Sequence, residues 1–117
     1  MFALAFYTIV LTALGGAALG LLYLKPLVPR PPLAAAVHGI AGTFGLVVLA
    51  LSLNNAVASG NWAAYAAIPI SLAWVAGLAV AFLPMRTPRG FRWLIGSHAA
   101  LALAGVVVLT LCWLGAP

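Results

Sequence analysis

The chain has 117 residues, 67% of them hydrophobic, and its only charged side chains are five Lys and Arg residues. A soluble domain carries charge on roughly a quarter of its residues, so this composition excludes a water-exposed globular fold. The absence of Asp and Glu argues against a proton-coupled exporter, which needs a membrane carboxylate. The few separated cations also do not form a nucleic-acid-binding surface.

The first two apolar runs are separated by a proline-rich loop. A spanning helix needs about 20 apolar residues, and the first run predicts a helix over residues 2–24. Lys25-Pro26 ends this helix, because proline cannot continue a helix and restrains the residue before it. The segment 29–32 contains three prolines and one arginine, and the second apolar run predicts a helix over residues 33–53.

The second half of the chain repeats this arrangement. A polar turn over residues 54–61 precedes a third predicted helix over 62–83, and a second basic loop with two prolines precedes a fourth over 91–114. These four runs use nearly the whole sequence, so we expect residues 1–117 to form one domain. The predicted fold is all-α: a polytopic membrane protein built as an up-down bundle of four transmembrane helices.

Both basic loops lie on the same side of this predicted bundle. They contain every cation of the chain, namely Lys25, Arg30, Arg86, Arg89 and Arg92. The positive-inside rule places such loops in the cytoplasm, where they also meet anionic lipid headgroups. We therefore expect an integral protein of the bacterial inner membrane with both termini on the non-cytoplasmic side.

Predicted helices 2 and 4 share a short internal repeat. Each contains a His, a Gly seven residues later and a Leu eleven residues after the His, and each follows a loop with Pro and Arg. The matching sets are His38, Gly45 and Leu49 in helix 2, and His98, Gly105 and Leu109 in helix 4. The repeat indicates two tandem helical hairpins related by an axis along the membrane normal.

Two histidines lie inside the predicted spans, and ionisable side chains at such positions need an explanation. Such residues are costly in a bilayer and usually face the bundle interior or a partner. His38 and His98 each lie about 9 Å inside the predicted cytoplasmic helix start, at 1.5 Å per residue. They are therefore at one level on helices that are diagonal in a simple four-helix bundle.

Small residues around these histidines leave room for a flat macrocycle. Imidazoles above and below such a ring can act as axial ligands of a haem iron. Helices 1 and 3 carry glycines that could approach the ring edges, namely Gly15, Gly16, Gly20 and Gly77. The propionates of a haem at this depth would point toward the cytoplasmic arginines, since guanidinium binds carboxylate well. The candidates are Arg30, Arg86, Arg89 and Arg92.

In these features the chain resembles the membrane b-type cytochromes, in which histidines on alternate helices of a four-helix bundle hold haem b and glycines pack against the ring. The resemblance implies axial metal ligation by His38 and His98, with Gly45 and Gly105 as cofactor-packing glycines. Many relatives carry a second histidine on each helix for a second haem. The corresponding positions here are near Ser52 and Cys112, so a second bis-histidine haem is not expected.

The resulting hypothesis is a small b-type cytochrome, or cytochrome-like subunit, that passes electrons within a membrane redox complex. The sequence favours an electron-transfer or accessory subunit over an enzyme in its own right and leaves that question open. One alternative is an accessory subunit without a cofactor, in which the histidines only make interhelical hydrogen bonds. Another is a (bacterio)chlorophyll-binding subunit, since residues 34–38 resemble the Ala-x-x-x-His of light-harvesting helices. Expected partners are the lipid bilayer and other membrane subunits or a second copy, with quinone as a further candidate.

Overall fold

The computed structural model describes residues 1–25, 31–53, 63–83 and 88–115, and these contain helices and no strand. The four helices are α1 (Phe2–Tyr23), α2 (Pro32–Leu53), α3 (Ala63–Phe82) and α4 (Pro88–Trp113). The predicted all-α fold with four long helices is confirmed.

The start of α4 differs from the prediction. The helix begins at Pro88 and not at residue 91, because the fixed φ of proline suits the first turn of a helix, where its missing N–H is not needed. Arg89 and Arg92 therefore lie in the first two turns of α4 and not in a loop. Arg30 and Arg86, which the sequence places in the two basic loops, lie outside the described residues.

Each helix is long and apolar enough to cross a membrane, and the chain is an integral membrane protein. Large apolar side chains cover the outside of the bundle. Leu33 is 76% exposed and Ile40 is 70% exposed, which is a stable arrangement only against lipid. The bundle measures 48 × 23 × 22 Å, so its long axis is sufficient to span a hydrocarbon layer of about 30 Å.

The helices form an antiparallel ring in chain order. Consecutive helices pack against each other, and α1 closes the ring by packing against α4. Within the described residues, α2 and α4 make only weak contact with each other, as do α1 and α3. The predicted diagonal placement of α2 and α4 is therefore confirmed.

The apolar core is concentrated at the end of the bundle that contains the N-terminus of α1. Its buried members are Ala5, Ile9, Val48, Leu49, Ala66, Ile70 and Leu109. The rings of Phe6 and Trp113 stack at the same end, with centroids 4.8 Å apart and planes at 9°. Toward the other end, Ala73 and Ile95 are the buried apolar residues of the described part of the chain.

The packing of this core repeats between the two hairpins. A Cβ placed on Gly45 would lie 2.9 Å from Cγ1 of Ile9. At the equivalent position of the second hairpin, a Cβ on Gly105 would collide with Cγ1 of Ile70. Both glycines thus let an isoleucine of the neighbouring helix approach the backbone, and the sequence repeat corresponds to a repeated contact.

Candidate functional site

The two histidines meet between the diagonal helices. His38 extends from α2 and His98 from α4, and both are half-buried. Their ring centroids are 6.1 Å apart and their planes are nearly perpendicular, at 86°. The structure therefore brings together the two side chains that the sequence placed at one level.

A glycine of the neighbouring helix packs against each imidazole. A Cβ on Gly16 would lie 2.6 Å from Cε1 of His38, and a Cβ on Gly77 would lie 3.0 Å from Cε1 of His98. Real Cβ atoms do not fit at the first of these distances and are crowded at the second. Two of the glycines that the sequence singled out on helices 1 and 3 thus give the histidines their room. A Cβ on Gly15 would have no heavy atom of the described residues within 4 Å.

A backbone carbonyl fixes the ring of His98. Its Nδ1 lies 2.7 Å from the carbonyl oxygen of Ala73 on α3. A carbonyl only accepts hydrogen bonds, so Nδ1 carries the hydrogen and donates it, and in the neutral imidazole Nε2 keeps a free lone pair. Gly77 lies one helical turn after Ala73, and its missing side chain leaves this carbonyl accessible to the ring.

His38 lies in an equivalent environment, but its hydrogen bond to the neighbouring backbone is less well formed. The backbone of Thr12 on α1 lies beside the His38 ring. Thr12 comes one turn before Gly16, just as Ala73 comes one turn before Gly77 on α3. However, Nδ1 of His38 is buried and its contact with this backbone is not a well-formed hydrogen bond. The two imidazoles therefore share their position in the repeat and differ in how their Nδ1 atoms are satisfied.

A further hydrogen bond joins α2 and α3 near the pair. The indole Nε1 of Trp74 donates to Oγ1 of Thr43 over 2.9 Å, and this hydroxyl donates to the carbonyl oxygen of Gly39 over 2.8 Å. Trp74 directly follows Ala73, so this bond holds the part of α3 that positions the carbonyl beside His98. The sequence did not identify this contact, because a Thr and a Trp on separate helices carry no signal of their pairing.

The other predicted site residues are not beside the imidazoles. Gly45 and Gly105 pack against Ile9 and Ile70, about 10 Å along their helices from the histidines. Their assignment as cofactor-packing glycines stays a prediction, since helix packing accounts for them.

The arginines with a described position lie near the start of α4. Arg89 and Arg92 are exposed, and Arg92 lies about 9 Å before His98 along the helix axis. Arg30 and Arg86 fall outside the described residues. Two of the four arginines predicted to bind propionates thus have a known position.

The donor set of the site consists of two imidazoles. No group of three or more His, Cys, Asp or Glu that could hold a metal ion occurs in the described ranges. Cys112 lies about 21 Å beyond His98 along α4 and is too far away to contribute. The sequence matches no protein-family model, and no curated protein and no solved structure is detectably similar to it.

Proposed function

We propose that the protein is a small b-type cytochrome, or a cytochrome-like subunit, that holds one haem b between α2 and α4 and passes electrons within a membrane redox complex. The observation that carries the proposal is the separation of the two imidazoles. His38 and His98 converge from diagonal helices at one level, with ring centroids 6.1 Å apart.

This separation agrees with ligation of one metal ion from two sides. A metal–imidazole bond is about 2.0 Å long, and a ligating nitrogen lies about 1.2 Å from the centre of a five-membered ring with bonds of about 1.35 Å. Two imidazoles on opposite sides of an ion therefore have centroids about 6.4 Å apart. The perpendicular planes are compatible with this arrangement, because axial ligation leaves the rotation of each ring about the bond free.

The chemistry of the donor set favours haem over a bare ion. Structural and catalytic zinc sites use at least three protein ligands, whereas the described residues supply two imidazoles. A haem brings four nitrogen ligands of its own and needs only two axial ones. The hydrogen bond from Nδ1 of His98 to Ala73 supports the same role, because it orients the ring and leaves Nε2 available.

The charges at the cytoplasmic end supply a partner for the propionates. Arg89 and Arg92 lie in the first two turns of α4, where the positive end of the helix dipole disfavours cations. The chain contains no Asp or Glu that could pair with them. The carboxylates of a haem would stabilise both guanidinium groups at this position.

Within this proposal the haem supplies the redox chemistry, and the chain supplies ligands, orientation and a dry environment. His38 and His98 hold the iron, the two arginines stabilise the propionates, and the apolar helices exclude water. We place the protein in the bacterial inner membrane with both termini outside, and quinone is the candidate small-molecule partner in the membrane.

A cofactor-free accessory subunit is the competing function, and one observation favours it. Gly96, Ala100 and Ala104 recur every fourth residue on α4, and all three are exposed. Small residues at this spacing let another transmembrane helix approach closely. In that case the bond between His98 and Ala73 would serve only to join α4 to α3.

An absorption spectrum of the purified protein distinguishes these functions. We expect a stoichiometric haem with a low-spin spectrum that sharpens on reduction with dithionite. His38→Ala and His98→Ala should each change this spectrum. Ser97→Ala is the matched control, because this exposed hydroxyl only bonds to the carbonyl of Trp93 in its own helix. Protein without a chromophore would support the accessory subunit, and near-infrared bands would support (bacterio)chlorophyll.

A further inference from the structure

Two hydrogen bonds between different helices end on neighbouring residues of α3. The carbonyl oxygen of Ala73 accepts from Nδ1 of His98 on α4 over 2.7 Å. The indole of the next residue, Trp74, donates to Oγ1 of Thr43 on α2 over 2.9 Å. Within the described residues, α2 and α4 make only weak contact with each other. The two residues of α3 therefore link the helices that carry the histidines.

Thr43 connects the indole to the backbone beside the other histidine. Its hydroxyl accepts from Trp74 and donates to the carbonyl oxygen of Gly39 over 2.8 Å, and Gly39 directly follows His38. Hydrogen bonds in such a chain strengthen one another where the dielectric is low. Thr43 is exposed on the outside of the bundle, where lipid offers no substitute partner and an unpaired indole N–H is costly. The chain of bonds therefore holds Trp74, and with it the neighbouring carbonyl, in one position.

The internal repeat provides a comparison within the molecule. The glycines beside the two imidazoles align α1 with α3, and the histidines align α2 with α4. In this alignment Ala13 takes the position of Trp74, and Leu103 takes the position of Thr43. Neither side chain can form a hydrogen bond, and in that half the contact of His38 Nδ1 with the backbone is not a well-formed hydrogen bond. The well-formed bond to an imidazole thus occurs in the half that has the indole link.

We propose that Trp74 and Thr43 are positioning residues of the histidine site, which hold the Ala73 carbonyl against Nδ1 of His98 and so keep Nε2 of this ring free to bind iron. The role of Nε2 rests on the proposed haem function, whereas the positioning of the ring does not need a haem. A hydrogen bond at the distal nitrogen orients a ligating histidine and raises its basicity. Since the bond is 2.7 Å long, a shift of about 1 Å in α3 would break it.

The first measurement is the exchange of the Nδ1 proton of His98 with water, followed by proton NMR of the purified protein in detergent micelles. The signal is assigned by its loss in His98→Ala. Trp74→Phe and Thr43→Val should each speed this exchange about fivefold, the factor that corresponds to a hydrogen bond of about 1 kcal/mol. Thr43→Ser keeps the hydroxyl and should retain the wild-type rate.

Two controls separate positioning from a general loss of stability. Thr110→Val makes the same change at a hydroxyl that bonds only within its own helix, to the carbonyl oxygen of Val106. Val48→Ala loosens the apolar core at the end away from the histidines. Both variants should retain the wild-type exchange rate, because neither touches the bonds that end on α3.

The second measurement is the transfer of haem from the holoprotein to an excess of a haem-binding globin. The ratio of haem to protein is determined first, because protein without haem would refute the proposed function, while proton exchange would still test the positioning. With haem present, Trp74→Phe and Thr43→Val should each speed transfer about tenfold, the lower end of the range for the outer partners of metal ligands. The double variant should be no faster than either single one.

Three results would overturn the inference. One is an unchanged rate of proton exchange in Trp74→Phe or in Thr43→Val. Another is an equal acceleration in Val48→Ala, which would show that any loosening of the bundle frees the ring. The third is an accelerated exchange in Thr43→Ser, since this variant retains the group that binds the indole.

Discussion

Substitution of Gly105 by alanine tests whether this glycine serves helix packing or a cofactor. The new methyl group would collide with Cγ1 of Ile70 and would lie 3.2 Å from the backbone nitrogen of Ile70. Overpacking of this kind costs about 1–3 kcal/mol, and the better helix propensity of alanine offsets up to about 1 kcal/mol. We therefore expect a net loss of about 1–2 kcal/mol in the free energy of unfolding.

The assay is reversible unfolding in detergent micelles, followed by the loss of helical circular dichroism. Gly39→Ala is the matched control, because no heavy atom of the described residues lies within 4 Å of a Cβ at that position. Ile70→Ala should recover part of the loss when combined with Gly105→Ala, since it removes Cγ1 and leaves the close backbone nitrogen. The two substitutions should therefore be coupled by about 1 kcal/mol in a double-mutant cycle.

Two results would contradict this reasoning. If Gly105→Ala were as stable as Gly39→Ala, the contact with Ile70 would not determine the need for glycine. If Gly105→Ala unfolded normally but altered the haem spectrum, the glycine would belong to the cofactor site, as the resemblance to b-type cytochromes implies. Coupling to Ile70 with an unchanged spectrum would assign it to packing.

Three further predictions concern other parts of the bundle. Thr43→Val should lower the free energy of unfolding by about 0.6–1.7 kcal/mol, the range for interhelical hydrogen bonds in membranes. In a Trp74→Phe background, which already lacks this hydrogen bond, Thr43→Val should have no added effect on unfolding in the same micelles. The proposed orientation can be tested with Arg89→Cys in a Cys112→Ser background. This cysteine should react with a membrane-impermeant thiol reagent only after spheroplasts are permeabilised. Labelling in intact spheroplasts would show that the orientation is the opposite one. If the proposed haem is bound, replacing Arg89 and Arg92 by Gln should lower its midpoint potential by roughly tens of millivolts, because loss of positive charge near the propionates favours the oxidised iron. An unchanged potential in a redox titration would show that the arginines are not part of the site.

The sequence predicted most of the fold because its signals are local. Long apolar runs give the helices, and prolines and polar turns give their ends. The predicted bounds of α1 and α2 are each within one residue of those in the structure. The start of α4 was predicted too late, because the proline at residue 88 was interpreted as part of the loop when it forms the first turn of the helix.

The candidate site could be predicted only in part. The common level of His38 and His98 follows from counting residues, and their diagonal placement follows from the simplest bundle. The acceptor for His98 is a backbone carbonyl, which every residue has, so no side-chain pattern could single out Ala73. The difference between the imidazoles also depends on rotations of α1 and α3 that composition does not determine.

The location of the apolar core at the end away from the histidines has a consequence for biogenesis. The contacts of Ile9 with Gly45 and of Ile70 with Gly105 involve side chains and backbone only, so they can form as soon as both hairpins are inserted. We expect the bundle to assemble through this end first and to present a preformed frame at the end that contains the histidines. If the protein holds the proposed haem, its insertion would then be a late step at that end, and a cell starved of haem would accumulate inserted, protease-resistant precursor rather than misfolded chain.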